Sequence, residues 1–263
     1  MAGVGLSALL RTPRHIRRCP PWRVPTAALA PLAAALLLSL APATRAGASE
    51  PGAASSASRC PAQAVDVADG EPLCLARLEV TVDAYAACVA ARRCTPRATR
   101  AQCNGERQGL GRHPANCVDL AQAERYCAFS GGRLPTSDEW ERAARAALPH
   151  VDRSPGADPP ADICWNQRTQ NPGTCEVGSF CAPSAICDLA GNVAEWTSTT
   201  VELPGGKRLA IVRGGGWIFD PLAYAAELDP AFRRRVDPTS RLVDLGFRCA
   251  FDPGGTTQAR RPN

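Results

Sequence analysis

Cysteine constrains this chain more than any other residue type. Thirteen are present in 263 residues. Cys19 lies in an N-terminal stretch with the character of an export leader, and the other twelve fall at 60, 74, 88, 94, 103, 117, 127, 164, 175, 181, 187 and 249. An even count behind such a leader predicts a disulfide framework formed in an oxidising compartment. A zinc or haem site would need Cys-x-x-Cys pairs or clustered histidines. The closest pairs here, Cys88 with Cys94, Cys175 with Cys181 and Cys181 with Cys187, are six apart. From Asp188 to Arg248 there is no cysteine at all.

The leader reading rests on residues 1–48. They contain no Asp or Glu, six arginines, the apolar run TAALAPLAAALLLSLA and then Ala46-Gly47-Ala48, the anatomy of a signal peptide cleaved after Ala48. The run is broken by Pro31 and ended by Pro42, short of the roughly 20 apolar residues that span a bilayer. A soluble secreted or periplasmic protein with no membrane span after cleavage is expected. Removing the leader leaves 24 basic residues (30 minus 6) against 25 acidic ones, a net charge of −1. One lysine and a single basic triplet, Arg233-Arg234-Arg235, give no footprint for nucleic acid. The triplet reads as a solvated loop.

Along the mature chain, residues 49–59 (SEPGAASSASR) suit a flexible linker, and a single domain is expected over residues 60–253, with a disordered tail at 254–263. Arg77 to Val82 (RLEVTV) alternates like a strand, and a short helix capped by Thr81 is expected from Asp83 to Ala91. Asp119-Leu120-Ala121-Gln122 and Thr136-Ser137-Asp138-Glu139 are capping-box patterns that open two more helices. The first places Leu120, Ala123 and Cys127 on one face, the second Trp140, Ala143 and Ala144. Gly132 to Pro135 between them reads as a tight turn. From Leu148 to Leu203 no periodicity stands out, so that region must be stapled to be ordered. Short strands are expected at Arg208 to Arg213 and Asp244 to Phe251.

Several of these segments together resemble the formylglycine-generating enzyme family, or sulfatase-modifying factor domain: LEVTVDAY, NCVDLAQAERYCAFSGGRLPTSDEWERAARA, DLAGNVAEWT, RGGGW and LGFRCA. They occur in the family's order. The resemblance implies an irregular, C-type-lectin-like α+β fold with little regular secondary structure. It implies a disulfide between Cys127 and Cys249, and a calcium ion held by Asp188 and Glu195 with the carbonyls of Gly191 and Val193. A second calcium site of the family, near Asp162 and Ile163, has lost its later acidic partner. Cys88 and Cys94 are a possible pair from proximity alone. Trp140, Trp196 and Trp217 read as core anchors whose indole nitrogens need partners.

Active members of that family oxidise a substrate cysteine to formylglycine with oxygen and a copper ion held by two cysteines, soft ligands suited to Cu(I). That pair follows the RGGSW-type motif, where this chain has Phe219 and Tyr224. Gly216 stands where active members carry serine. Copper is therefore not expected. Relatives in ergothioneine synthesis use a histidine-held iron on a separate helical bundle, and the mature chain has only His113 and His150. The expectation is a disulfide-stapled family member without the oxidase centre that binds a protein or peptide, Phe219 and Tyr224 supplying aromatic surface in the former cleft. The alternatives are a formylglycine-generating oxidase acting on a sulfatase cysteine, and a structural envelope or surface protein.

Overall fold

The computed structural model describes residues 59–67, 70–148, 163–165, 173–179, 181, 185–218, 224–227 and 229–254. All belong to one compact unit, Ser55–Asn263. The expected leader, nearly all of the linker, the tail beyond Gly254, Asp162, Phe219 and His150 lie outside the described residues.

Three helices and two small sheets carry the fold. Strand β1 (Ala64–Asp66) pairs antiparallel with β2 (Cys74–Ala76). Helix α1 (Val82–Ala90) begins at Thr81, whose hydroxyl accepts from the Ala84 amide at 3.2 Å. A 3-10 turn covers Asn104–Glu106. Helices α2 (Leu120–Phe129) and α3 (Ser137–Ala147) both open with complete capping boxes, Asp119 with Gln122 and Thr136 with Glu139. Each box satisfies two amides that the first turn leaves without partners. Then come β3 (Ala194–Glu202), β4 (Arg208–Arg213), the four-residue α4 (Tyr224–Glu227), β5 (Arg234–Val236), β6 (Leu245–Gly246) and β7 (Ala250–Phe251). The sheets run β1-β2-β7 and β5-β4-β3-β6.

The helices form where their capping signals place them; the strands and turns differ from expectation in several places. The alternation in RLEVTV does not become a strand, because Glu79 turns inward to hydrogen-bond and Leu78 is pushed out to 37% exposure. Only Thr81 forms a bridge, with Pro114. Residues 194–202 form the longest strand, which periodicity missed. Its first four residues are all buried, so alternation appears only from Ser198 onward. The polar members of that buried half are satisfied internally: the Thr197 hydroxyl donates to the Ile211 carbonyl at 2.7 Å, and Glu195 pairs with Arg248.

The segment expected as one strand from Asp244 to Phe251 is two, one in each sheet, because Phe247, Arg248 and Cys249 between them turn into the core. Gly132 to Pro135 is not merely a turn. Arg133 bridges Ala250 with bonds of 2.9 and 2.7 Å, and a side chain at Gly132 would strike the Ala250 carbonyl. The arginine triplet is not a solvated loop: Arg234 and Arg235 pair with β4, and Arg233 and Arg234 form ion pairs with α3 and Asp244.

The core gathers between α1, α2 and the larger sheet. Tyr85 stacks on Tyr126 at 5.7 Å, and Phe247 meets both rings edge-on. Six disulfides hold the rest: 60 to 74, 88 to 94, 103 to 117, 127 to 249, 164 to 175 and 181 to 187. Cys127 to Cys249 ties α2 to the end of the chain across 122 residues, a closure worth about 4 to 5 kcal/mol in the chain-entropy model. Among the described residues no helix is long and apolar enough to cross a membrane.

Candidate functional site

The centre of the fold is the loop that leads from Asp188 into β3. Asp188, Gly191 and Asn192 all have positive φ, at 55°, 83° and 54°. A Cβ at Gly191 would come within 2.7 Å of the Cys164 carbonyl, so this tight loop tolerates only glycine there. Asn192 binds the loop to its surroundings. Its amide nitrogen donates to Glu79 at 2.6 Å, its side-chain oxygen accepts from the Cys175 amide at 3.0 Å, and its carbonyl accepts from the Trp217 amide at 2.7 Å.

Beneath the loop lies a buried charge cluster. The Arg248 and Glu195 side chains are essentially without solvent contact and meet at 2.6 Å. Arg248 also donates to the carbonyls of Ala76, Arg77 and Cys187. Glu79 and Asp188 add two further carboxylates close to this pair. Burial, then repulsion from Asp188 and Glu195, pushes the Glu79 carboxyl well up. Burial also pushes Asp188 up, against a hydrogen bond of 2.6 Å from the Gly178 amide. Of these three carboxylates Glu195 contacts the Arg248 guanidinium, while Glu79 and Asp188 feel its charge without touching it.

A divalent cation would offset that excess negative charge, and Asp188 with the carbonyls of Gly191 and Val193 has the hard oxygen chemistry calcium prefers. Glu195 does not fit as a ligand in this arrangement. Its two oxygens already receive Arg248 Nε and Nη2 and the Trp140 indole, the last at 2.7 Å, which fills the roughly four lone-pair positions of a carboxylate. Glu195 serves instead as ion-pair partner and indole acceptor. Among the described residues no three His, Cys, Asp or Glu side chains converge in a metal-binding group.

The RGGGW segment runs alongside. Trp140, Trp196 and Trp217 are all buried, and their indoles donate to Glu195, the Val118 carbonyl and the Val243 carbonyl. A Cβ on Gly216 would lie 2.8 Å from both the Cβ and the carbonyl oxygen of Asp244. A side chain at this position would have to displace Asp244. Ile218 follows at 42% exposure, Phe219 is outside the described residues, and Tyr224 opens α4. Every cysteine from Cys60 onward is in a disulfide. The Nδ1 of His113 meets the Thr174 hydroxyl at 2.9 Å, and burial pushes its pKa down.

Sequence reasoning missed Glu79, Asn192 and Arg248 as the residues that organise this centre. One signal was available: Glu79 and Arg248 are single charges set inside apolar segments, LEV and GFRCA.

Fold and site together define a disulfide-bonded, irregular α+β domain of the C-type-lectin-like class whose described thiols are all consumed in bridges. The chain belongs to the family of the sulfatase-modifying factor enzyme 1-like domain, whose model matches residues 42–253. It is 33% identical over 158 residues to the inactive C-alpha-formylglycine-generating enzyme 2 of Mus musculus, covering 54% of this chain and 50% of that protein. It is 31% identical over 172 residues to the formylglycine-generating enzyme of Streptomyces coelicolor (55% and 54% covered). To the hercynine oxygenase of Mycobacterium tuberculosis it is 32% identical over 160 residues (53% and 37% covered). The chain spans about half or less of the length of these curated relatives. Among solved structures it is similar in fold to PvdO from Pseudomonas aeruginosa, with a TM-score of 0.55 at 23% identity over 69% of this chain and 80% of the other.

Proposed function

We propose that this protein is an exported family member that has given up the oxidase chemistry and acts by binding a protein or peptide. The observation that carries the reading is the fate of sulfur. No cysteine lies between Cys187 and Cys249, and the described cysteines are all paired, so no thiolate pair is left to hold copper. The packing of Gly216 against Asp244 supports the same reading, because a side chain at the position of the family's serine would have to displace Asp244. The likeness to a mammalian relative named as inactive is in keeping with it. Export is supported by the six disulfides, which suit an oxidising compartment, and by the leader-like residues 1–48.

In this reading Phe219 and Tyr224 supply the recognition surface in the former cleft, and aromatic side chains are the type enriched at binding hot spots. Calcium at Asp188, with the carbonyls of Gly191 and Val193, would brace the loop that leads into β3 by offsetting its negative charge. The experiment is partner capture from the exported fraction with the wild-type protein and with Phe219→Ala and Tyr224→Ala. Loss of a saturable partner in variants that fold normally supports cleft recognition. Retention of every partner by both variants sinks it.

A further inference from the structure

A second charged site lies away from this centre, on the outer face of α3. Asp138, Glu141, Arg142 and Arg145 follow one another at helical spacing along one stripe, and with Arg233 they line a hollow of about 370 Å³. Glu141 is its hub. It accepts from Arg145 Nε and Nη2 at 3.0 and 2.7 Å, from the buried Arg213 at 2.6 Å and from Arg233 at 3.2 Å. Arg233 also reaches Asp138 at 3.3 Å.

The charges do not balance. In the lining Arg142, Arg145 and Arg233 outnumber Asp138 and Glu141 by one, and the buried Arg213 behind Glu141 raises the local excess to two. The surplus is not spent internally. Arg142 gives Nη2 to the Glu71 carbonyl at 2.7 Å, while its Nε is buried without a hydrogen-bond partner. Arg145 commits one edge of its guanidinium to Glu141 and keeps Nη1 outside that pair.

We propose that this hollow binds a doubly charged oxyanion: free phosphate or sulfate, or the phosphate group of a monoester. The charge matches the excess of two, and the planar guanidinium fork matches tetrahedral oxyanions better than an ammonium does. The two carboxylates oppose such a ligand. Glu141 is already covered by three guanidinium groups, and Asp138, at 85% side-chain exposure, is screened by solvent.

The test is isothermal titration calorimetry with inorganic phosphate, inorganic sulfate and phenyl phosphate, at constant ionic strength set with chloride. Wild type is expected to give one saturable site within about 10 mM. Arg145→Gln and Arg233→Gln are each expected to weaken it roughly tenfold; both side chains are more than half exposed, so the variants keep the fold. Arg125→Gln, which removes the same charge from an exposed position on α2, is expected to leave affinity within about twofold. Binding of phenyl phosphate identifies a monoester site; binding of the inorganic ions alone identifies a free-ion site. The proposal is overturned if none of the three anions saturates, or if Arg125→Gln weakens binding as much as Arg145→Gln.

Discussion

Replacing Arg248 with methionine removes the one cation in a buried cluster of three carboxylates, and the cost follows from its bonds. Breaking a buried ion pair from one side costs about 3 to 5 kcal/mol, because the partner stays buried and uncompensated. Three carbonyls, of Ala76, Arg77 and Cys187, also lose their donor, at about 1 kcal/mol each where water does not replace it. Arg248→Met should therefore destabilise by about 5 kcal/mol or more, a large part of the roughly 5 to 15 kcal/mol that holds a domain folded.

Glu195→Gln should cost distinctly less, because Glu79 and Asp188 remain to balance Arg248 and the repulsion among the carboxylates is relieved. The assay is urea unfolding with the disulfides intact, followed by tryptophan fluorescence. Trp140 reports directly, since its indole donates to Glu195. A Glu195→Gln variant as unstable as Arg248→Met would refute the idea that three carboxylates depend on one arginine.

Other outcomes follow from the same structure. Gly216→Ser should lower stability by about 1 to 3 kcal/mol through the clash with Asp244, read by the same unfolding assay; an unchanged midpoint would mean Asp244 yields freely. Burial raises the Glu141 pKa, but hydrogen bonds from Arg145, Arg213 and Arg233 outweigh it and hold the group at about 2. Its folded pKa is below the unfolded value, so its contribution is present above about pH 4.5 and is lost as pH falls toward about 2. After a discount for its half-exposed partners this amounts to about 1 to 3 kcal/mol, and Glu141→Gln should flatten that part of the stability profile. Adding calcium to protein stripped with EDTA should raise the thermal midpoint, and Asp188→Asn should reduce the shift; no shift in wild type counts against calcium at this loop.

The helices were legible because their signals are local. Thr81, Asp119 and Thr136 cap through their own neighbouring residues, so the chain itself states where each helix starts. Strand β3 was not legible, since Ala194 to Thr197 are all buried and lose the alternation that marks a half-exposed strand. Glu79 misled for a related reason: its polar position in LEVTV suggested a solvent face, yet its partners Asn192 and Val193 are more than a hundred residues away. The absent copper pair was readable from cysteine positions alone. The closure of the space at Gly216 was not, because it depends on Asp244, a contact that only the folded chain brings together.

The central claim is that no formylglycine chemistry survives without the cysteine pair. The most direct measurement is mass spectrometry of a Cys-x-Pro-x-Arg peptide after incubation with the purified, oxidised protein, copper, oxygen and a thiol reductant, beside an active family enzyme. The account predicts that the peptide cysteine stays unchanged while the control enzyme converts it. Formylglycine in the sample with this protein would contradict the account and require an oxidase centre built without two cysteines.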